Sequence, residues 1–190
     1  MKQTYARLLA LIPLAAGSVA QAHPGHADGA LAGLAHPFLG LDHLLAMVAV
    51  GVWAGQLGGR AKWLVPASFV AVMAGGAALG LAGVRLPMVE AGIATSVLLL
   101  GLLIALSVKV APAFGATLVG LFALFHGVAH GSEMPQMSVA WQYGLGFMLA
   151  TAALHGAGLG LGQRLRRQHG WLRAAGALTA LSGAWMMSAL

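Results

Sequence analysis

The chain has 190 residues, 59% of them hydrophobic and 7% charged, whereas soluble domains carry about 25% charged residues; a water-soluble globular domain is excluded. Ten Lys and Arg stand against four acids, but the cations fall singly or in short groups between long apolar runs, which excludes a nucleic-acid-binding stripe. The absence of Cys removes disulfides, thiolate metal sites and cysteine nucleophiles together.

Lys2 and Arg7 precede an apolar run from Leu8 to Ala20, interrupted by Pro13 and followed by the small-x-small site Ala20-Gln21-Ala22. That run is too short to cross a bilayer comfortably, and the pattern reads as a cleaved signal peptide over residues 1–22. Cleavage leaves a single transmembrane domain, residues 23–190, whose new terminus is His23-Pro24-Gly25-His26. This terminus has two readings: a chelator made of the α-amino group with His23 and His26, or a flexible uncharged tail.

About 20 apolar residues make a helical span. The charge-free intervals predict six, at about 37–57, 63–81, 88–108, 113–130, 141–161 and 171–190, which together make a compact all-α transmembrane bundle. Gly58-Gly59, the turn from Gly83 to Pro87, Pro112, Pro135 and the arginine loop from Gly162 to Gly170 mark the boundaries. With the mature N-terminus outside, Arg60, Lys62, Lys109, Arg164, Arg166, Arg167 and Arg173 fall on the inner side and only Arg85 in an outer loop. This asymmetry satisfies the positive-inside rule and puts both mature termini outside. Glycine pairs at Gly51/Gly55, Gly76/Gly80, Gly127/Gly131, Gly156/Gly160 and Gly158/Gly162 predict close helix packing within the bundle.

Ionisable residues at membrane depth are costly and mark sites or pathways. His36 and His43 are two helical turns apart and share one face if one helix holds both, with Asp42 on its flank and Met47 one turn further on. At the end of the fourth helix, His126, His130 and Glu133 stand at i, i+4 and i+7, which stacks them on one stripe. Imidazole and carboxylate in this pattern suit a borderline divalent ion such as Ni, Co, Zn or Fe. The topology brings Glu90, at the outer start of the third helix, into the same layer as these two clusters. Three carboxylates and four imidazoles thus gather at one depth with Arg85 as the only nearby cation. His155, deeper in the fifth helix, has two readings: an inner relay site, or a buried imidazole bonded to a carbonyl. Phe69 and Trp53 read as packing.

The His-x5-Asp-His motif (His36, Asp42, His43) and the run Phe125-His126-Gly127-x-Ala129-His130-Gly131-x-Glu133, in a small Gly-rich chain, resemble the HupE/UreJ hydrogenase and urease accessory proteins. The resemblance covers essentially the whole chain. It implies a nickel, or in some lineages cobalt, permease of the bacterial cytoplasmic membrane that feeds nickel-enzyme maturation machinery. The metal would be a transported ion with no cofactor permanently bound, and the partners would be the bilayer and the metal ion, with no nucleic acid. Three other classes compete. A non-transporting membrane metallochaperone shares every motif. An intramembrane hydrolase is disfavoured, since neither Gly-x-Ser-Gly nor His-Glu-x-x-His occurs, and a haem protein would need facing His residues near mid-membrane, where only His126 and His155 approach. The expectation is therefore not an enzyme.

Overall fold

The computed structural model describes residues 29–134 and 139–190; the signal-peptide segment, His23, His26 and the Pro135 boundary lie outside the described residues. Among the described residues every regular element is helical: α1 (Ala30–Ala35), a 3-10 turn (His36–Phe38), α2 (Leu41–Leu57), α3 (Ala61–Leu81), α4 (Val89–Ala105), α5 (Pro112–Glu133), α6 (Ala140–Arg164), a second 3-10 turn (Leu165–Arg167) and α7 (His169–Ser188). The last five helices fall in the intervals that the charge pattern predicts, with ends shifted by a few residues. The α4 end comes early, at Ala105, because Ser107 takes a left-handed conformation (φ 53°). Its N–H bonds Ile104 O at 3.1 Å while that of Val108 bonds Leu103 O at 2.9 Å, the paired bonds that close a helix. Gly83 (φ 85°) closes α3 in the same way through Gly80 O and Leu79 O.

The first predicted helix is corrected. It does not run unbroken from Pro37: the arm Ala30–Phe38 meets α2 at 85°. Pro37 initiates a 3-10 turn, and Gly40 is extended (φ −109°, ψ 122°). A Cβ on Gly40 would lie 2.7 Å from Asp42 Oδ1 and 3.0 Å from His43 Nδ1. A side chain at position 40 would crowd the Asp42 and His43 side chains, which fold back over that backbone.

Among the described residues, Ala61–Leu81, Pro112–Glu133 and Ala140–Arg167 are each long and apolar enough to cross a membrane, and the bent pair of α1 arm and α2 adds a fourth candidate. α4 is apolar but has only 17 residues. The outward face is rich in exposed Leu and Trp. Trp63 and Trp171 are exposed at the end of the bundle that carries the cationic loops, and Trp141 and Trp185 at the opposite end. Two such aromatic girdles are what membrane interfaces select.

The helices associate as close pairs: α3 with α5, α4 with α7, and α2 with α6, with the α1 arm also on α6. Glycine makes these approaches possible. A Cβ on Gly51 would collide with His155 O, on Gly158 with Val48 O, on Gly127 with Met73 O and on Gly131 with Ala77 O. Without a hydrophobic force between helices in lipid, such backbone contact is the main source of association. Four of the five glycine pairs lie at these contacts; Gly156/Gly160 meets nothing within 4 Å. At the cationic end, α2 is tied to the end of α4 by Trp53 Nε1 to Val108 O (3.1 Å), Gln56 Nε2 to Ile104 O (3.2 Å) and Lys109 Nζ to Gln56 O.

Gly127→Val should destabilise the protein in detergent by about 1–3 kcal/mol, read as a lowered midpoint of thermal unfolding. Gly144→Ala, where a Cβ meets nothing within 4 Å, should leave the midpoint nearly unchanged; equal losses for both would mean that close α3/α5 packing is not the cause.

Candidate metal centre

The end of α5 explains itself residue by residue. Gly127 and Gly131 lie against the α3 backbone at Met73 and Ala77, and Phe125 turns to α4, where its ring covers Gly92. The 3.6-residue period then leaves His126 and His130 on the inner face, 0% and 2% exposed. Glu133, one turn beyond, is half-exposed. The bend at Gly40 delivers the other ligands from two directions: His43 from the first turn of α2, and His36 from the 3-10 turn that crosses above it.

These rings gather. Centroid separations are 4.3 Å for His43 and His130, 5.1 Å for His43 and His126, and 4.9 Å for His36 and His130. Two groups of potential ligand atoms result, each with all its atoms within 4.8 Å of one another: His43 with His126 and His130, and His36 with His130 and Glu133. His36 Nε2 also lies 3.7 Å from Glu133 Oε2. His130 belongs to both groups.

Hydrogen bonding decides which nitrogens are free. Asp42 Oδ1 lies 2.6 Å from His43 Nδ1 and also accepts the His43 backbone N–H at 2.8 Å. A carboxylate only accepts, so Nδ1 carries the proton and Nε2, which has no partner, carries the lone pair. Ser96 on α4 donates its single hydroxyl proton to Ile93 O at 2.6 Å. It must therefore accept from His126 Nε2 at 3.0 Å, which leaves His126 Nδ1 unpartnered. His130 has no partner on either nitrogen. A buried polar atom without a partner is expensive, and each of these three imidazoles has at least one. Carboxylate and hydroxyl partners of this kind orient metal-binding imidazoles and raise their basicity.

The remaining candidates divide. Glu90 lines a polar outer cavity with Arg85, Ser132 and Glu133, outside both ligand groups. His155 is also outside them: its Nδ1 bonds Met47 O at 2.7 Å, the carbonyl-bonded placement, while its Nε2 has no partner. Met47 is fully buried, and its thioether accepts from Thr151 Oγ1 at 3.4 Å.

A family model described as HupE / UreJ protein matches residues 9–186. The chain belongs to the HupE/UreJ family. It is also 54% identical over 180 residues to Protein HupE of Rhizobium leguminosarum bv. viciae, which covers 93% of this chain and 94% of that protein. No solved structure matches it significantly.

Ser96 is the positioning residue that the sequence reading lacks. The available signal was a hydroxyl pair, Thr95-Ser96, inside an otherwise apolar stretch, and nothing local says that Ser96 faces an imidazole 30 residues away. Phe147 and Tyr143 are also new: Phe147 packs its ring 4.1 Å from that of His130, and the Tyr143 ring lies 5.8 Å from that of His36.

The geometry predicts that in nitrogen-15 spectra of the purified protein His126 is the Nε2–H tautomer and His43 the Nδ1–H tautomer. Ser96→Ala should release the His126 preference and leave that of His43 in place. An unchanged His126 tautomer would remove Ser96 from this role.

Proposed function

We propose that the protein is a permease that takes up divalent nickel, or cobalt, from the periplasm and supplies it to nickel-enzyme maturation, as its motifs imply. The observation that carries this reading is the position of His130, one imidazole with two unpartnered nitrogens shared by two ligand groups at successive depths. The outer group of His36, His130 and Glu133 is partly exposed, and Glu90 adds a second carboxylate to the adjoining cavity. A hydrated cation meets negative charge first and exchanges its first waters there. His130 then presents it to His43 and His126, where imidazole replaces further water and the Asp42 carboxylate, bonded through His43, compensates the buried positive charge. Conduction needs sites strong enough to select and weak enough to release. A mixed oxygen and nitrogen ligand set without thiolate meets that requirement for a borderline ion.

In this reading the six long helices are six spans of the bacterial inner membrane, the signal peptide is removed, and both mature termini are periplasmic. The cationic loops lie in the cytoplasm, so the His and carboxylate end opens to the periplasm. The chain carries no phosphate-binding loop, and the ion moves down its gradient, with the membrane potential or with a partner. No enzymatic step and no resident cofactor are required. Spanning helices place Asp42 and the imidazoles below the lipid headgroups, where their cost is justified by ligand exchange.

Nickel uptake by whole cells should be abolished by Asp42→Ala and His130→Ala. Glu133→Ala should chiefly raise the nickel concentration needed for half-maximal uptake, because the carboxylate acts at capture. Normal uptake by correctly inserted His130→Ala protein excludes the route. In proteoliposomes the wild type should carry nickel, and saturable binding without flux would identify a metallochaperone instead. Ser96→Ala should weaken nickel binding roughly tenfold while the protein still folds.

A further inference from the structure

At the cationic end of the bundle, three parts of the chain converge on one cavity of about 360 Å³. Gln56 from the end of α2, Ser107 and Lys109 from the α4–α5 connection, and Arg166, His169 and Leu172 from the α6–α7 connection and the start of α7 line it. Lys109 Nζ donates to Gln56 O, and an ammonium has three donors, so two remain. The Arg166 guanidinium reaches the turn after α2, where a Cβ on Gly58 would lie 3.8 Å from its Nη1. Every acidic side chain among the described residues, Asp42, Glu90 and Glu133, stands at the opposite end. Burial, and then the Arg166 charge, push the Lys109 ammonium below its usual range. α7 starts at the same cavity with no side-chain cap and no acid in its first turn, and a helix start of this kind attracts anions. Two cations and a helix N-terminus thus share one space without a counter-charge.

The surface beside the cavity indicates which anion fits. Leu99 and Leu102 of α4 and its cap residue Leu106 stand at i, i+3 and i+7, so they form one stripe. All three are exposed, Leu106 at 66%, and Leu106 adjoins Ser107 in the cavity wall. The stripe leads from the cavity toward the middle of the bundle. Trp171, 71% exposed and next to Leu172, has the placement of an interfacial aromatic residue. With 17 residues, α4 is about 25 Å long, short of the roughly 30 Å of a bilayer core. It ends early, at Ala105, on the cationic side, and a bilayer meets a short span by thinning there. A lipid drawn inward at that point brings its phosphate to Lys109 and Arg166, whereas a soluble acidic protein would have to enter the membrane to reach them.

We propose that this cavity holds the phosphate of an anionic glycerophospholipid of the cytoplasmic leaflet, with Lys109, Arg166 and the start of α7 around it and an acyl chain along Leu99, Leu102 and Leu106. The lipid supplies the counter-charge that the chain lacks at this end and covers the short end of α4, so it stabilises the folded bundle. The inference rests on the membrane placement and orientation given above and is independent of nickel transport.

The test titrates full-length protein in a neutral detergent with phosphatidylglycerol, phosphatidylcholine or inorganic phosphate, reading the thermal unfolding midpoint and, by native mass spectrometry, the lipid retained. Phosphatidylglycerol should raise the midpoint and leave one lipid per chain, while phosphatidylcholine and phosphate at equal concentration do neither. Arg166→Gln and Lys109→Gln should each weaken phosphatidylglycerol binding roughly fivefold. Arg173→Gln, at the same end but outside the cavity wall, should bind it as the wild type does. Arg166 is exposed, so its replacement decides the matter even where Lys109→Gln does not fold. Equal retention of phosphatidylcholine, or equal weakening by Arg173→Gln, overturns the site and leaves only a general attraction to the cationic end. An equal rise in midpoint with inorganic phosphate overturns the lipid as occupant, and displacement of the lipid by soluble polyglutamate does so in favour of an acidic protein. Nickel plays no part in the titration, so a wild type that carries no nickel overturns the permease reading and leaves a retained lipid standing.

Discussion

A buried imidazole has two ring nitrogens and one proton, and each nitrogen must be placed somewhere. That constraint governs the centre of this protein. Asp42 engages one nitrogen of His43, Ser96 one of His126 and the Met47 carbonyl one of His155. Each partner admits only one tautomer, so each leaves a lone pair on the other nitrogen. His130 has no such partner and keeps both nitrogens unengaged. A cluster with every nitrogen satisfied within the protein would be a structural network; this one leaves at least one nitrogen of each buried imidazole without a protein partner.

Close helix packing is what makes the cluster possible. Gly127 and Gly131 let α5 press on the α3 backbone, while Gly51 and Gly158 do the same for α2 and α6. Bulkier residues at these contacts would separate the helices and spread the imidazoles apart. The glycines of the Phe125–Glu133 segment therefore serve packing and its histidines form the imidazole cluster, on opposite faces of one helix. The bend at Gly40 has the same dual character, since it turns the chain and makes room for the Asp42 and His43 pair.

Much of this was legible beforehand where the signal was local. The i, i+4, i+7 spacing placed His126, His130 and Glu133 on one stripe because α5 is regular through Glu133. For His36 and His43 the spacing argument holds only if one helix contains both; the extended Gly40 breaks that periodicity, and His36 reaches the cluster from a separate arm. The sequence places Glu90 by depth alone, and depth does not supply lateral position: it lies in the outer cavity beside Arg85 and Glu133. Ser96 was missed because a hydroxyl in an apolar helix usually bonds its own backbone, which it also does here through Ile93 O.

The sequence by itself determined where the last five helices run, which end of the bundle holds the cations, which holds the His and carboxylate residues, and which family the motifs resemble. These properties follow from runs of apolar residues, from breakers and from fixed helical spacing, all readable along one chain. Tertiary structure alone decided which imidazole nitrogens are free and that His130 is common to two ligand groups. The reason is that a tautomer is set by its hydrogen-bond partner. Although His43 finds its partner next door in Asp42, that of His126 lies 30 positions away and that of His155 lies 108, separations that only the packed bundle closes.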